Sequence, residues 1–274
     1  MIKSKINLDL ETNLISDLTK SSQSILMQDI SYKVLQLAKR DSNVIIVGEI
    51  GSGKKRLAEV IHENSSRKDK PFHSFYCLNI NEDEYKDAFW GHLEFNQSGI
   101  TVRYDALEKA TAGTLHLDQF SELSETFMLN IINSFRNGCH QLFRFKKSSQ
   151  PRLLLSINEE AYHTIIHSNI WQIILDQLDP VVIMLPPLRE RKEDIPVLIK
   201  LFVNEIKKSS QYFENLNISS QALYACFNYQ WPGNIRQLKN AILQGAILSY
   251  GKTIELDHLP FTMSWKLPYK LDEK

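Results

Sequence analysis

The stretch Gly48-Glu49-Ile50-Gly51-Ser52-Gly53-Lys54 carries the first chemical signal. Its spacing Gly48-x4-Gly53-Lys54 follows the apolar run Val44-Ile45-Ile46-Val47 and opens a segment with helical periodicity. Glycines in such a loop let backbone N–H groups surround a phosphate, a helix N-terminus faces the anion, and the lysine reaches the terminal phosphates. Gly48, Gly51, Gly53 and Lys54 are therefore candidate phosphate ligands, the plain alternative being a glycine turn between strand and helix. Position 55 departs from the general pattern. Ser or Thr there holds Mg²⁺ in a generic phosphate loop, whereas Lys55 adds positive charge beside the metal. A second signal is Leu115-His116-Leu117-Asp118-Gln119, an apolar strand ending in an acid. Asp118 is placed to act on Mg²⁺ through water. Gln119 stands where a general base would polarise the attacking water; its amide orients water but takes no proton, a role worth about 10²- to 10⁴-fold.

The elements that must position these residues are legible from periodicity. Residues 24–40 place Ile30, Val34, Leu37 and Ala38 on one helical face, leading into a strand at 43–47. Residues 54–64 repeat helical spacing through Leu57, Val60 and Ile61, and extended runs follow at 73–78, 114–117, 153–157 and 181–185. This alternation predicts an α/β fold with a largely parallel sheet wrapped by helices. After Pro186-Pro187 the pattern is wholly helical, with Ile235, Leu238, Ile242 and Ala246 marking one helix face. The expected divisions are a lead at 1–23, an α/β nucleotide-binding domain at 24–195, a small helical lid at 196–258 and a tail at 259–274.

Composition narrows the function classes. The chain has 274 residues, 43% of them hydrophobic, enough for a large domain plus a small one. Its 32 basic and 32 acidic side chains cancel, so bulk charge gives no general grip on nucleic acid or an anionic membrane. Cys77, Cys139 and Cys226 are too scattered for a disulfide framework or a metal knuckle, which points to a reducing compartment and a cytoplasmic location. No apolar run approaches the roughly 18 residues of a spanning helix.

Several motifs, in order, resemble one family. Gly48-Glu49-x-Gly51-x-Gly53-Lys54, Asp69-Lys70-Pro71-Phe72, Gly91-His92, Gly113-Thr114-Leu115, Pro186-Pro187-Leu188-Arg189-Glu190-Arg191-x-Glu193-Asp194-Ile195 and Trp231-Pro232-Gly233-Asn234-Ile235-Arg236 are similar to the AAA+ central domain of bacterial enhancer-binding proteins, the activators of sigma-54 RNA polymerase. The resemblance spans about residues 24–260. It implies an α/β AAA+ P-loop NTPase core with a parallel, doubly wound sheet, a small helical lid, ATP or ADP with Mg²⁺ as ligand, and a homo- or hetero-oligomeric ring. It also implies roles: Lys54 for phosphate, Asp118 for the metal, Asn158 as the polar sensor after a core strand, and Arg236 as the lid arginine.

The departures from that family fall on turnover and coupling. Tyr76 stands at the switch asparagine, Gln119 at the catalytic glutamate, and Trp171 and Gln177 where a neighbouring subunit's arginines are expected. Loss of an arginine finger costs about 10³- to 10⁵-fold in phosphoryl transfer. Residues 93–100 lack the Gly-Ala-Phe-Thr-Gly-Ala loop that grips sigma-54, Phe95 reading as a loop anchor, so direct sigma-54 contact is not expected. No second helix-turn-helix follows Pro260 and no receiver domain precedes Ser24, so the expectation is an isolated module without its own DNA-binding domain. The resulting reading is a nucleotide-binding, hydrolysis-impaired regulator acting through protein contacts. Its alternatives are a working ATPase, with Arg189 or Arg191 as substitutes, that drives sigma-54-type activation or another remodelling step, and a nucleotide-free scaffold. His163 and His167, at i, i+4 near Glu159 and Glu160, read as a solvated helix face, and Phe143 and Phe145 as a half-buried strand.

Overall fold

In the computed structural model, residues 23–77, 82–90, 92–96, 99–103, 106–137, 139–140, 143–144 and 149–263 are described. They divide into two compact units, one formed by Ile30–Leu185 and the other by the residues up to Asp29 together with those from Pro186 onward.

The first unit is built on a sheet with an unbroken apolar run as one of its interior strands. β1 (Val44–Val47) is buried at every position, as expected of a parallel strand covered on both faces. β2 (Phe72–Tyr76) follows the helix Lys54–Glu63, and a hairpin of β3 (His92–Asn96) and β4 (Gly99–Arg103) follows the helix Glu82–Trp90. β5 (Thr114–Asp118) comes next, then the helix Glu125–Asn137, a short antiparallel pair of β6 (Cys139–His140) and β7 (Phe143–Arg144), β8 (Arg152–Ile157) and β9 (Val181–Met184). The main sheet is wholly parallel in the order β2-β5-β8-β1-β9. That is the α/β core predicted from alternation. The helix Glu125–Asn137 buries Phe127, Met128, Ile131, Ile132 and Phe135, a stripe at helical spacing. Its Phe127 meets Tyr85 and Trp90 at ring-centroid distances of 4.8 and 5.0 Å.

The amino-terminal edge of this sheet is tied by polar side chains. Arg152, almost wholly buried at the start of β8, donates from Nε to Ser42 O (2.8 Å) and from Nη2 to Leu37 O (3.0 Å). Arg67 donates to the carbonyls of Gly113 (2.9 Å) and Gln150 (2.8 Å) and pairs with Asp41. Gly113 lies so close to Pro71 that a Cβ would fall 1.9 Å from the Pro71 carbonyl oxygen.

The second unit packs the helices Ile195–Ser209, Ser220–Asn228 and Asn234–Leu248 around Leu198, Phe202, Trp231, Leu238 and Ile242. Pro196 sits in the first turn of its helix, where its missing N–H is harmless. Trp231 adopts a left-handed conformation (φ 49°) with its ring fully buried, and its Nε1 donates to Cys226 O at 2.7 Å. Asn234, also buried, accepts from Leu188 N at 2.7 Å. The Trp-Pro-Gly-Asn turn thus ties the unit's first residues to its last long helix. This unit is not wholly helical: β10 (Asn217–Ile218) and β11 (Thr253–Ile254) form a short parallel pair, buried through Ile254. No described helix is long and apolar enough to cross a membrane.

Candidate nucleotide site

β1 delivers the loop and the next helix receives it. Gly48 N donates to Ile157 O at 3.2 Å, continuing the β1–β8 ladder by one step. A Cβ on Gly48 would meet Leu185 O at 2.9 Å and Ser52 Oγ at 3.0 Å, so the strand's exit admits little more than glycine. Gly51 (φ 77°) and Gly53 (φ 108°) are left-handed, a conformation that costs glycine nothing. Gly53 is the N-cap of the helix Lys54–Glu63, whose first N–H groups have no carbonyl within their own helix. Lys54 is nearly buried and its Nζ curls over the loop, donating to Gly48 O (2.6 Å) and Glu49 O (2.9 Å). A desolvated ammonium above a ring of backbone N–H groups is complementary to a phosphate chain. Lys55, one step along the helix, is exposed.

The other core-strand ends meet this loop. β5, β8 and β1 are consecutive in the sheet, so Asp118 at the end of β5, Asn158 just past β8 and Gly48 just past β1 line the carboxyl edge. Ligands in open parallel sheets bind outside that edge. Asp118 is half-buried, and its carbonyl accepts from Cys77 N at 2.9 Å. Gln119, also half-buried, is left-handed (φ 59°, ψ 44°) and caps the single turn Phe120–Glu122. A non-glycine residue held there is strained, the kind of conformation kept where a side chain must be aimed. Asn158 is the extended residue before the helix Glu159–Ile165, and its side chain makes no capping hydrogen bond there. Tyr76 closes β2 directly opposite Asp118 in register and is 53% exposed.

These residues fit a nucleotide's phosphates better than they fit a fully protein-held metal. Gly48, Gly51, Gly53 and Lys54 present the glycine turns and the charge that suit a phosphate chain, and Asp118 adds one carboxylate at the neighbouring strand end. Residue 55 brings a cation where a hydroxyl ligand is usual, which adds no oxygen donor for a metal at that position. Among the described residues, no group of three His, Cys, Asp or Glu side chains is placed to hold a metal ion on its own.

Other expectations resolve differently. Trp171 is packed into the core edge-on to Tyr162, with centroids 5.3 Å apart. Arg191 is 4% exposed, with Nη1 3.2 Å from Met27 Sδ, and burial pushes its guanidinium down to about 10. It is a core residue and a poor substitute finger. The helix carrying His163 ends at Ile165, before His167, so the pair does not share one helix face. Residues 93–96 and 99–100 belong to the antiparallel β3–β4 pair, with Phe95 and Ile100 as register partners, and residues 97–98 lie outside the described residues. Of the proposed Phe143–Phe145 strand, Phe143 lies in β7 and Phe145 lies outside the described residues. Arg236 stands on the exposed side of the helix Asn234–Leu248 in the second unit.

Periodicity passed over a polar row on the sheet face. His116, in mid-β5 and fully buried, bridges Ser74 Oγ through Nδ1 (3.0 Å) and Ser156 Oγ through Nε2 (2.7 Å). Burial, with Lys55 and Lys54 adding to it, pushes the His116 ring down to about 3, so it is neutral. Two residues earlier, Thr114 Oγ1 meets His62 Nδ1 at 2.9 Å. The signal available in sequence was a histidine at the centre of an otherwise apolar strand. Cys77, buried beneath Tyr85, has its thiol pushed up to about 12 by burial and stays protonated.

Comparison with known proteins decides the family. Residues 20–168 match the sigma-54 interaction domain, and residues 189–271 match the AAA+ ATPase lid domain. The chain belongs to the sigma-54 interaction domain family. It is 32% identical over 244 residues to the regulatory protein LuxO of Vibrio parahaemolyticus, covering 88% of this chain and 53% of LuxO. It is 28% identical over 239 residues to the Nif-specific regulatory protein of Azotobacter vinelandii, covering 86% of this chain and 45% of that protein. The chain thus spans about half the length of the curated relatives it matches. Structures of NtrX from Brucella abortus in complex with ADP and with ATP superpose with TM-score 0.75 at 24% identity, over 87% of this chain and 55% and 56% of theirs. An AAA+ α/β core with a lid is therefore the architecture of this protein.

Proposed function

We propose that this protein is a cytoplasmic, nucleotide-binding AAA+ regulator whose ATP hydrolysis is impaired and which acts through contacts with other proteins, within a homo- or hetero-oligomeric ring. The observation that carries the reading is the pairing of a complete phosphate cradle with an amide at the base position. Gly51 and Gly53 hold the left-handed turns of the loop, Lys54 lies over it, and Gln119 follows Asp118 at the strand end.

Each residue of the chain has a task in this reading. Backbone N–H groups of residues 50–54 and the Lys54 ammonium hold the phosphates, and Asp118 orients a hydrated Mg²⁺. That ion, when bound, supplies charge neutralisation at the terminal phosphates. Asn158 is placed to sense the terminal phosphate, while Arg236 enters through the family resemblance. Gln119 donates and accepts hydrogen bonds to water without removing its proton, which favours retention of intact nucleotide over turnover. Family membership, and the ATP and ADP bound by NtrX, support the ligand class.

The test is retention. Excess purified protein is mixed with trace α- and γ-labelled ATP and Mg²⁺, and bound nucleotide is separated and identified over hours. Retained ATP supports the proposal. Conversion to ADP at an ordinary AAA+ rate, abolished by Lys54→Ala, would establish instead an active ATPase driving transcription activation or another remodelling step. No retention of either nucleotide would leave a nucleotide-free scaffold.

A further inference from the structure

We propose that Ser74, His116 and Ser156 act as one set of positioning residues, a hydrogen-bonded brace across β2, β5 and β8 that sets the relative heights of Tyr76, Asp118 and Asn158. The proposal rests on the nucleotide reading above and assigns a role that reading leaves open. His116 has no solvent exposure, so it touches neither substrate nor water, yet it is a polar ring in the middle of a core strand.

Placement carries the argument. Each brace residue lies two positions before a strand-end residue: Ser74 before Tyr76, His116 before Asp118, Ser156 before Asn158. Because side chains alternate along a strand, His116 projects from the same sheet face as Asp118, one pleat repeat of about 6.6 Å lower. The bridge is also directional. Ser74 stands directly opposite His116 in register, whereas the residue of β8 opposite His116 is Leu154. Ser156 is therefore one repeat nearer the site, and the ring spans the β5–β8 seam on the diagonal, in the direction in which Asp118 and Asn158 must be matched.

Hydrogen-bond capacity makes the three residues a unit. A neutral imidazole has one N–H and one lone pair, so it donates to one serine and accepts from the other. Any single apolar replacement leaves a buried group unsatisfied, while replacing all partners by apolar groups removes the demand. The P-loop reaches its position through β1, which the brace does not touch. The brace should consequently affect groups that meet Mg²⁺ and the terminal phosphate more than groups that hold the inner phosphates.

The experiment compares the wild-type protein with Ser156→Ala, His116→Phe and the triple variant Ser74→Ala/His116→Phe/Ser156→Ala. Calorimetry gives Kd for ATP with Mg²⁺ and for ADP without Mg²⁺, and urea midpoints report folding separately. The expected result is a loss of about tenfold in Mg²⁺-ATP affinity for the single variants, the size usual when a supporting shell is cut. ADP affinity should change less than about twofold, and the triple variant, which leaves no buried group unsatisfied, should recover stability while keeping the lowered Mg²⁺-ATP affinity. If His116→Phe does not fold, Ser156→Ala carries the same prediction. Single variants that lose stability but keep the ATP-to-ADP ratio would overturn the brace and leave the nucleotide reading intact. A triple variant that regains the wild-type ATP-to-ADP ratio would also overturn it, because the strand ends would then be set without the brace. A wild-type protein that binds neither nucleotide would overturn both.

Discussion

Replacing Gly113 by alanine perturbs the sheet where the structure leaves no room for a methyl group. The new Cβ would sit 1.9 Å from Pro71 O, 2.8 Å from Pro71 C and 3.0 Å from Pro71 N, all backbone atoms that no rotamer change can move. Relief requires β2 and β5 to part at their first residues. That movement breaks Thr114 N to Pro71 O (2.8 Å) and strains Arg152 N to Gly113 O (2.9 Å) and Arg67 Nη1 to Gly113 O (2.9 Å). Overpacking costs about 1–3 kcal/mol and the lost hydrogen bond about 0.5–1.5 kcal/mol, so a destabilisation of about 1.5–4.5 kcal/mol is expected. Such a change is a large share of a stability of about 5–15 kcal/mol. Urea unfolding followed by tryptophan fluorescence, with the m-value checked for constancy, measures it directly. Gly113 lies at the amino-terminal edge of β5 and the nucleotide loop at the carboxyl edge, so the folded fraction of the variant should bind nucleotide with near wild-type affinity. A cost below about 1 kcal/mol, within the range of an ordinary surface change, would refute the reasoning.

Three further outcomes follow from the same geometry. Lys54→Ala removes a charged donor from the loop and should raise the Kd for Mg²⁺-ATP by about 10- to 100-fold by calorimetry, the equivalent of about 1.5–3 kcal/mol for a charged hydrogen bond. Gln119→Glu restores a proton acceptor beside Asp118 and should raise single-turnover hydrolysis by about 10²-fold or more over the wild-type background, read as labelled phosphate release. Acid should destabilise the fold between about pH 6.5 and pH 5. His116 and His62 are both held neutral by burial, so their folded values lie below 6.5 and the unfolded chain takes up the protons first. The stability they contribute is full above pH 6.5 and falls as pH drops, by up to about 1.4 kcal/mol per unit for His116. Urea midpoints at pH 7, 6 and 5 should therefore fall steadily, and the slope should shrink when His116 is replaced by phenylalanine.

Legibility in the sequence followed the physics of each element. β1 is a continuous apolar run and β8 carries Leu153-Leu154-Leu155 at its centre, and a strand buried on both faces has no alternation to misread. The phosphate loop was legible because its requirements are local: two left-handed glycines, a lysine and a following helix lie within a few residues. The lid's short β10–β11 pair was not, since two residues of strand joined across more than thirty of chain leave no period to detect. His116 was read as part of a plain strand because its partners, Ser74 and Ser156, are separated from it by about forty residues and are brought together only by strand order. Trp171 was placed at a functional position by order along the chain. Its burial depends on helix rotation, which places Ile170, Trp171, Ile174 and Leu178 inward together.

The two edges of the sheet answer to different demands, and this separates what fold comparison reveals from what it leaves open. At the amino-terminal edge Arg152, Arg67 and Gly113 are committed to backbone carbonyls and close packing, interactions whose loss is felt as stability. At the carboxyl edge Lys55 and Tyr76 are exposed and Asp118, Gln119 and Asn158 only half-buried, so the fold tolerates many side chains there. A superposition at TM-score 0.75 with 24% identity reports the backbone fold, and it would look much the same whether position 119 held an acid or an amide. Catalytic competence in such a chain is decided by a few side chains that contribute little to stability. The Gln119→Glu comparison isolates that term, because the two side chains are nearly isosteric and share one left-handed backbone position, leaving the proton acceptor as the difference.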